Sequence, residues 1–346
     1  MATYDLGNYE YDNSDFFPLE LFQEITEVRV ANKEIVEQEA QRRTRRDRLA
    51  RDGNLIILAV DHPGRRVTSI RNDPLKMGDR YAYLGRAVRA LVGSGFDGIM
   101  GTTDFIEDLL ILNHLVKERG GDDFLSEKVL LGCMNRGGTL GTVFEMHDTY
   151  TSFTPKRLEE MRMDGGKMMY RLDPEAPGAG RTLTETADVI TKMSERGLPA
   201  FLEPLSVERA ADGSYAVKSD PATHIKDISV AAALGSTSMQ TWIKIPYCEN
   251  YAQVARASTL PILMLGGAPS DDPVGVMKEF EAGMASSPTV RGALVGRNVT
   301  FPPRDDPRAV AAALTGIIHE GHGVEEAVEH LHERRGEEMD RLRNLM

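Results

Sequence analysis

Cysteine is scarce in this sequence, and long apolar runs are missing. Only two cysteines, Cys133 and Cys248, occur among 346 residues, which excludes a fold built on disulfides and is typical of proteins from a reducing cytosol. No stretch approaches the roughly 20 apolar residues that a membrane-spanning helix needs. The first residues, MATYDLGNYE, are acidic and lack the apolar segment of a secretory signal. We therefore expect a cytoplasmic protein that does not bind membranes.

Positive charge is also in short supply. The chain carries 41 lysines and arginines against 53 aspartates and glutamates, which gives a formal net charge of -12. Nucleic acids and anionic membranes are bound by basic surfaces, so neither is expected as a partner. A small anionic substrate is still compatible with this charge, because a local basic pocket is enough to bind it.

Short apolar runs recur along the chain, and an amphipathic segment follows most of them. The runs lie at residues 55–60, 98–101, 129–134, 167–172, 200–205, 240–245, 262–265 and 292–295. Helix-like segments lie at residues 79–92, 103–119, 155–163, 182–196, 221–234 and 307–319. Alternating strands and helices are typical of a parallel sheet with crossover helices. Eight such units predict an α/β fold of the (β/α)8 TIM barrel type, with extra N- and C-terminal helices.

The alternative to a closed barrel is an open, doubly wound sheet of the dinucleotide-binding kind. That fold has a glycine-rich GxGxxG turn after its first strand. Here the first apolar run is followed by Asp61-His62-Pro63-Gly64, which does not match this turn. The closed barrel is therefore favoured.

The segments outside the barrel are rich in charge. We predict an N-terminal helical extension over residues 1–50, a catalytic barrel over residues 51–322 and a C-terminal helix over residues 323–346. A charged helix is expected around residues 30–51, and we interpret its basic stretch 42–46 as a solvated helix face rather than a binding patch. The exposed helices also lead us to expect a homo-oligomer.

Lys244 lies within the sixth apolar run, which reads Thr241-Trp242-Ile243-Lys244-Ile245-Pro246. Side chains alternate along a strand, so Lys244 and Trp242 share one face. A lysine at a sheet edge could extend to solvent, but a central barrel strand has no such edge. A buried lysine has a depressed pKa and presents a neutral amine that can attack a carbonyl carbon.

Three further charged residues lie inside or directly after apolar runs, and each calls for an explanation because burying a charge is costly. Lys167 begins the fourth run, Glu203 is near the end of the fifth, and Asp61 directly follows the first. Each alone could belong to a structural ion pair. Because the carboxyl ends of barrel strands converge on the active site, we predict that these residues and Lys244 form a catalytic group.

The fourth run offers two more candidates. Arg171 shares a face with Lys167 and is a candidate substrate-binding residue. Positive charge from these two residues would lower the pKa of Lys244. Tyr170 is expected to point to the opposite face, although a role in proton transfer is left open.

Glycines follow the last two predicted strands. Gly266 and Gly267 come after the seventh, and Gly296 and Arg297 come after the eighth. Small residues let backbone amides approach an anion closely, and barrels often bind phosphate at these two loops. We predict a phosphate site there, although two ordinary turns would give the same pattern.

Histidines show no metal-ligand spacing at the predicted strand ends. A metal-dependent enzyme needs several ligands that converge on one ion, and the eight histidines do not supply them. We therefore predict that the protein uses no metal and no other cofactor.

Taken together, these residues are similar to those of the Schiff-base-forming class I aldolases, the group that includes deoxyribose-phosphate, archaeal-type fructose-bisphosphate and tagatose-bisphosphate aldolases. The resemblance covers roughly residues 54–320. It rests on the following stretches: Ala59-Val60-Asp61-His62, Gly166-Lys167-Met168-Met169-Tyr170, Phe201-Leu202-Glu203, Trp242-Ile243-Lys244-Ile245-Pro246, Leu265-Gly266-Gly267-Ala268 and Gly296-Arg297-Asn298-Val299.

The resemblance implies a role for each matched residue. Lys244 corresponds to the Schiff-base lysine, Lys167 and Glu203 to an auxiliary lysine and glutamate, and Asp61 to a first-strand aspartate. The glycines and Arg297 correspond to the phosphate site. Arg171 and residues 173–181 have no clear counterpart.

The resemblance implies a metal-independent aldolase of carbohydrate catabolism that acts in the breakdown of inositol or of a sugar acid. It would cleave a phosphorylated ketose into an aldehyde and a product like dihydroxyacetone phosphate. Two alternatives stay open: acyl transfer on a keto-phosphate through the same lysine, and a sugar-phosphate sensor without catalysis.

Overall fold

Nine strands form one sheet in the computed structural model, which describes residues 3–346. They are β1 Leu55–Ala59, β2 Gly98–Gly101, β3 Val129–Cys133, β4 Gly165–Leu172, β5 Ala200–Arg209, β6 Tyr215–Val217, β7 Thr241–Pro246, β8 Ile262–Leu265 and β9 Val290–Val295. All but β6 are parallel, and β1 pairs with both β2 and β9. The sheet therefore closes into a (β/α)8 barrel, as predicted.

All eight predicted runs are barrel strands, with ends that differ by at most a few residues. The ninth strand, β6, was not predicted. It pairs antiparallel with the last residues of β5, which extends beyond the barrel rim. The turn between β5 and β6 contains Gly213 at a φ of +86°, a conformation that glycine adopts without steric cost.

Two separate apolar cores fill the structure. The larger core lies between the strands and the surrounding helices, and the smaller one lies inside the barrel. The inner core consists of Leu55, Ile57, Ala59, Met100, Val129, Leu131, Cys133, Phe201, Leu263 and Leu294. Because side chains alternate along a strand, alternate residues of β1 contribute to the two cores, and this alternation aims the polar side chains near the strand ends into the barrel mouth.

Helices surround the barrel. They are α1 Asn13–Phe16, α2 Leu19–Ala31, α3 Ile35–Arg42, α4 Arg80–Leu91, α5 Thr103–Glu118, α6 Pro155–Glu160, α7 Ala179–Ser194, α8 Pro221–Ala232, α9 Tyr251–Ala255, α10 Val274–Ser286, α11 Arg297–Thr300, α12 Pro307–Thr315 and α13 Val324–Arg334. The six predicted segments correspond to within a few residues to α4, α5, α6, α7, α8 and α12 of this set. Asp79, Thr154, Asp220 and Asp306 cap α4, α6, α8 and α12 by accepting backbone N–H groups, which satisfies donors that the first helical turn leaves without partners.

The prediction of one charged helix around residues 30–51 is wrong. The chain forms α2 and α3 instead, and α3 ends at Arg42. The interpretation of residues 42–46 as a solvated face is also wrong for two of the arginines. Arg43 is buried and donates to Asp164 Oδ2 at 3.0 Å, and Arg46 Nη1 donates to Asp97 Oδ1 at 2.7 Å.

These two aspartates directly precede strands, so they lie at the end of the barrel opposite the carboxyl ends of the strands. Asp97 precedes β2 and accepts the backbone N–H of Ile56, while Asp164 precedes β4 and accepts that of Leu130. The N-terminal segment is thus held to the floor of the barrel by ion pairs. Their partners are over 50 residues away in sequence, which explains why the basic stretch was misread.

The predicted C-terminal helix is shorter than expected. α13 ends at Arg334, and only a short 3-10 turn, Arg343–Leu345, follows. Within residues 3–346, the structure contains no helix with the length and apolar character required to cross a membrane.

A buried ion pair joins α4 to the start of α12. Arg89 Nε and Nη2 donate to the two carboxylate oxygens of Asp306 at 2.9 and 2.6 Å, and both side chains are almost fully enclosed. Arg89 Nη2 also donates to the carbonyl oxygen of Glu337 at 2.7 Å. The pair therefore connects two barrel helices and the C-terminal segment.

We expect Arg89→Met to lower the free energy of unfolding by about 3–5 kcal/mol, because it leaves the buried Asp306 carboxylate without its counterion. Chemical denaturation monitored by circular dichroism measures this loss. The control is Lys192→Met, which removes an exposed ion pair with Asp188 and should cost no more than about 1 kcal/mol. Equal losses in the two variants would contradict the structural role of the buried pair.

Candidate active site

Lys244 lies near the end of β7 and points into the barrel. β7 pairs with β5 on one side and β8 on the other, so the lysine is not at a sheet edge. Its neighbours Ile243 and Ile245 belong to the outer core. Trp242, on the same face as Lys244, stacks against Phe201 of β5 with ring centroids 5.9 Å apart. Only 7% of Lys244 is exposed, which excludes a lysine extended into solvent.

Glu203 lies between the two lysines that the sequence singled out. Its Oε1 is 3.0 Å from Lys244 Nζ, and its Oε2 is 2.5 Å from Lys167 Nζ. The strand register explains this placement, because β5 is hydrogen-bonded to β4 on one side and to β7 on the other. The three side chains form a buried chain of alternating charge that crosses three adjacent strands.

Asp61 extends this chain to the first strand. Its Oδ2 is 3.2 Å from Lys167 Nζ and 3.1 Å from Arg65 Nε, and it also accepts a weak hydrogen bond from Cys133 Sγ at 3.6 Å. The structure thus brings together all four residues predicted to form the catalytic group. Their roles stay predictions.

Arg65 is part of this group and was not predicted. It lies on a short 3-10 turn, Pro63–Arg65, that follows β1. The turn brings its guanidinium back to Asp61, four residues earlier. The stretch Pro63-Gly64-Arg65 begins two residues after the candidate acid Asp61, and this Pro-Gly pair is the sequence signal for a tight turn that returns the chain toward the strand end.

The charged side chains of this site, Arg65 included, set each other's protonation states. Burial alone would raise the pKa of Glu203, but Lys167, Lys244 and Arg65 outweigh it and lower that pKa to about 2. Burial alone would lower the pKa of Lys167, yet the carboxylates of Asp61 and Glu203 outweigh this effect and raise it. Similarly, Arg65 and Lys167 overcome burial and hold the pKa of Asp61 well below its usual range. These three groups are therefore ionised at neutral pH.

The pKa of Lys244 is shifted in the opposite direction to that of Lys167. Burial lowers its pKa, and the ammonium of Lys167 lowers it further, while the Glu203 carboxylate opposes both effects. The effects of burial and of the Lys167 charge are the larger ones, so the pKa of Lys244 is lowered. Lys244 therefore loses its proton more readily than an ordinary lysine does, whereas Lys167 holds its proton more tightly, and a nucleophilic amine must be unprotonated.

A cavity of about 410 Å³ opens above Lys244 at the carboxyl ends of the strands. Lys244, Glu203 and the turns after β8 and β9 all line it. The lining residues include Gly266, Gly267, Ala268, Gly296 and Arg297, together with His62, Arg65 and Arg171. The predicted phosphate site and the predicted catalytic lysine therefore face the same space.

Glycine is required at two points of these turns. Gly267 has a φ of +66°, in the left-handed region that side chains disfavour. A Cβ at Gly296 would lie 2.7 Å from the carbonyl oxygen of Ala59, so no larger residue fits there. The backbone of both turns can thus approach a bound group closely.

Asn298 fixes the turn after β8 in place. Its side-chain Nδ2 donates to the carbonyl oxygens of Gly266 and Ala268, and its Oδ1 accepts the backbone N–H of Ser270 at 2.8 Å. Arg297 Nη2 donates to the carbonyl oxygen of Gly267 at 3.1 Å. One short segment after β9 therefore holds the neighbouring loop, although Asn298 was not singled out as a site residue.

Tyr170 and His62 differ in their position relative to the cavity. Tyr170 faces away from the cavity, as expected, and is buried with its hydroxyl lacking a hydrogen-bond partner in the described part of the chain. His62 lines the cavity and was not predicted as a site residue.

Within residues 3–346, no three His, Cys, Asp or Glu side chains are grouped as metal ligands; metal independence stays a prediction.

We expect Lys167→Gln to raise the pKa of Lys244, because it removes a neighbouring cation and leaves the Glu203 carboxylate fully available to stabilise the ammonium form. Competitive acetylation of Lys244 across a pH series, followed by peptide mass spectrometry, measures this shift. Lys192→Gln, at an exposed position, serves as the control and should leave the labelling profile unchanged. A profile unaltered by Lys167→Gln would refute the proposed coupling.

Comparison with known proteins supplies independent information on this barrel. A family model described as Cgl0159-like matches residues 53–315. The crystal structure of Cgl0159 from Corynebacterium glutamicum (Brevibacterium flavum) is similar, with a TM-score of 0.81 and 31% sequence identity, covering 88% of this chain and 99% of that chain.

Two aldolase structures share the fold at lower identity. One is an archaeal fructose-1,6-bisphosphate aldolase whose catalytic lysine is covalently bound to the carbinolamine intermediate of the substrate; it has a TM-score of 0.54 and 20% identity, covering 82% of this chain and 99% of that chain. The other is a fructose-bisphosphate aldolase from Slackia heliotrinireducens, with a TM-score of 0.63 and 14% identity, covering 94% of this chain and 97% of that chain.

Proposed function

This chain belongs to the Cgl0159-like family, and we propose that it is a class I aldolase that cleaves a phosphorylated ketose through a Schiff base on Lys244. One observation carries the proposal. Lys244, a buried amine with a lowered pKa, is paired with Glu203 and faces the same cavity as the glycine turns after β8 and β9. The shared fold with an aldolase that forms a carbinolamine on its catalytic lysine supports the same chemistry here.

The reaction begins with binding of the ketose phosphate. Its phosphate group lies against the turns of Gly266, Gly267 and Gly296, where Arg297 adds a positive charge. This places the ketone carbon beside Lys244. The neutral amine attacks that carbon to form a carbinolamine, and loss of water gives an iminium cation. The iminium is the electron sink that makes the adjacent carbon–carbon bond cleavable.

Cleavage requires a base that takes the hydroxyl proton from the half of the substrate that is released as the aldehyde. Glu203 is favoured over Asp61 for this role, because Glu203 lines the cavity whereas Asp61 is enclosed by Lys167, Arg65 and Cys133. As the bond breaks, its electron pair moves into the iminium, which becomes a neutral enamine, and the aldehyde departs. The enamine is then protonated at carbon, and water hydrolyses the imine to release the ketone product.

The low pKa of Glu203 is compatible with a base because it depends partly on the charge at Lys244. That positive charge is present in the iminium and disappears in the enamine. The basicity of Glu203 therefore rises as the carbon–carbon bond breaks. Lys167 keeps its proton throughout and continues to orient Glu203.

Reduction with borohydride in the presence of dihydroxyacetone phosphate should attach this ketone covalently to Lys244, because borohydride converts an iminium into a stable secondary amine. Peptide mass spectrometry identifies the modified residue. Lys244→Met should abolish the attachment and lower kcat for a cleavable ketose phosphate by at least about 1,000-fold. The exposed-site variant Lys192→Met should react like the original protein.

Three outcomes would contradict the proposal: attachment at another lysine, cleavage at the normal rate by Lys244→Met, or tight binding of ketose phosphates without trapping or cleavage. The last would favour a sensor. A requirement for an acyl acceptor during turnover would instead favour acyl transfer.

Treatment with EDTA should leave the cleavage rate unchanged, because in this mechanism the iminium, and not a metal ion, withdraws the electrons. The rate is measured before and after chelation and again after addition of Zn²⁺ or Mg²⁺. Loss of activity on chelation that either ion restores would overturn the metal-independent mechanism.

A further inference from the structure

Arg65 extends from the turn after β1 across the mouth of the barrel. Its Nη1 lies 3.9 Å from the sulfur of Met169 on β4, and β4 is three strands away from β1 around the ring. The Arg65 side chain lines the cavity that contains Lys244 and Glu203, and 17% of it is exposed. The guanidinium therefore borders the space in which a substrate binds.

The guanidinium of Arg65 carries more donors than the protein uses. An arginine has five N–H groups. Nε donates to Asp61 Oδ2 at 3.1 Å, and Nη2 donates to Asp61 Oδ1 at 3.4 Å. Within the described chain, the only acceptor near Nη1 is the sulfur of Met169, and a thioether sulfur is a weak acceptor. Nη1 is thus available to donate to an oxygen atom in the cavity.

The elements that line the cavity indicate which part of the substrate Arg65 contacts. Lys244 and the glycine turns, which hold the ketone half in the proposed mechanism, lie on β7 or directly after β8 and β9. Glu203 and Met169 lie on β5 and β4 and line another part of the same cavity, together with Arg65. The half that is released as the aldehyde therefore lies beside Glu203 and Arg65.

Arg65 and Glu203 also interact through their charges. Burial favours the neutral form of Glu203, but Arg65 and two lysines keep its pKa low. Burial likewise opposes the charge of Arg65, but Asp61 and Glu203 outweigh it and raise its pKa. An arginine keeps its proton at any working pH, so Arg65 takes no part in proton transfer. A fixed positive charge beside the proposed base can instead stabilise negative charge that develops on the substrate.

We infer that Arg65 is a catalytic residue, which donates a hydrogen bond to the substrate hydroxyl oxygen that becomes the aldehyde oxygen. This inference rests on the proposed aldolase function. When Glu203 takes the hydroxyl proton, the O–H electron pair forms the carbonyl of the aldehyde, and the electron pair of the carbon–carbon bond passes into the iminium on Lys244. Negative charge develops on the oxygen during this step, and Nη1 of Arg65 stabilises it. The two oxygens of Asp61 hold the guanidinium in place.

Two reactions of dihydroxyacetone phosphate separate this step from formation of the imine. In heavy water, the imine and enamine on Lys244 exchange a hydrogen of the ketone for deuterium, and no aldehyde oxygen takes part. Addition of the ketone to glycolaldehyde, glyceraldehyde or glyceraldehyde 3-phosphate passes through the transition state of cleavage in reverse. Nuclear magnetic resonance measures both rates.

Arg65→Met should lower kcat for addition about 100-fold, the usual effect of losing one donor to a developing oxyanion, and should change deuterium exchange less than about threefold. Asp61 keeps its ion pair with Lys167 in this variant. If Arg65 only held the site together, exchange and addition would fall by the same factor.

A control variant and a pH series separate the contact with the oxygen from indirect effects. Arg66→Met is the matched control, because Arg66 is the next residue, is exposed and does not line the cavity; it should leave addition unchanged. The loss in Arg65→Met should persist at alkaline pH, where Glu203 is ionised with or without Arg65. A loss that vanishes there would mean that Arg65 acts only through the pKa of Glu203.

The outcomes for the original protein keep this inference distinct from the proposed function. If it exchanges deuterium but adds the ketone to none of the three aldehydes, the cavity does not hold an aldehyde oxygen beside Arg65. The inference then fails while the aldolase proposal stands, and a comparable loss of addition in Arg66→Met would lead to the same conclusion. If neither exchange nor borohydride trapping at Lys244 occurs in the original protein, the aldolase proposal itself fails.

Discussion

One carboxylate between two ammonium groups organises the centre of this barrel. Glu203 is within 3.0 Å of both Lys244 and Lys167, and none of the three could be buried alone without a large desolvation cost. The closed ring of strands makes the arrangement possible, since three consecutive barrel strands each contribute one of the charges. The same arrangement also makes the two lysines different. Lys167 contacts two carboxylates and holds its proton, whereas Lys244 contacts one and has its pKa lowered.

The sequence predicted this centre well because a charge inside a buried strand has few explanations. Lys167 and Lys244 belong to apolar runs, and period-two alternation identified the residues that share a face with each of them. The order of the strands then brought Asp61 and Glu203 to the same end of the barrel. The glycine turns after the last two strands were found in the same way, because strand ends in a barrel converge regardless of how far apart they are in the chain.

Residues outside the strands were harder to predict, and the reason is again physical. Arg65 reaches Asp61 through a tight turn, and no periodic pattern reports the direction of a loop side chain. Arg43 and Arg46 belong to a basic stretch that resembles a solvated surface in the sequence. Their carboxylate partners, Asp164 and Asp97, follow much later in the chain, and only the folded barrel brings them together. The hairpin of β5 and β6 was missed because β6 has only three residues.

The ion pairs at the floor of the barrel have a consequence for where the folding unit begins. The family match starts at residue 53, after the two arginines of these ion pairs. A chain shortened to that point would lose Arg43 and Arg46 but keep the buried carboxylates of Asp164 and Asp97, each of which also accepts a backbone N–H. Water would then have to replace two guanidinium groups at the base of the strands. The packed structure therefore extends beyond the residues that the family model matches, because carboxylates at the base of the barrel are paired with arginines that precede the first strand.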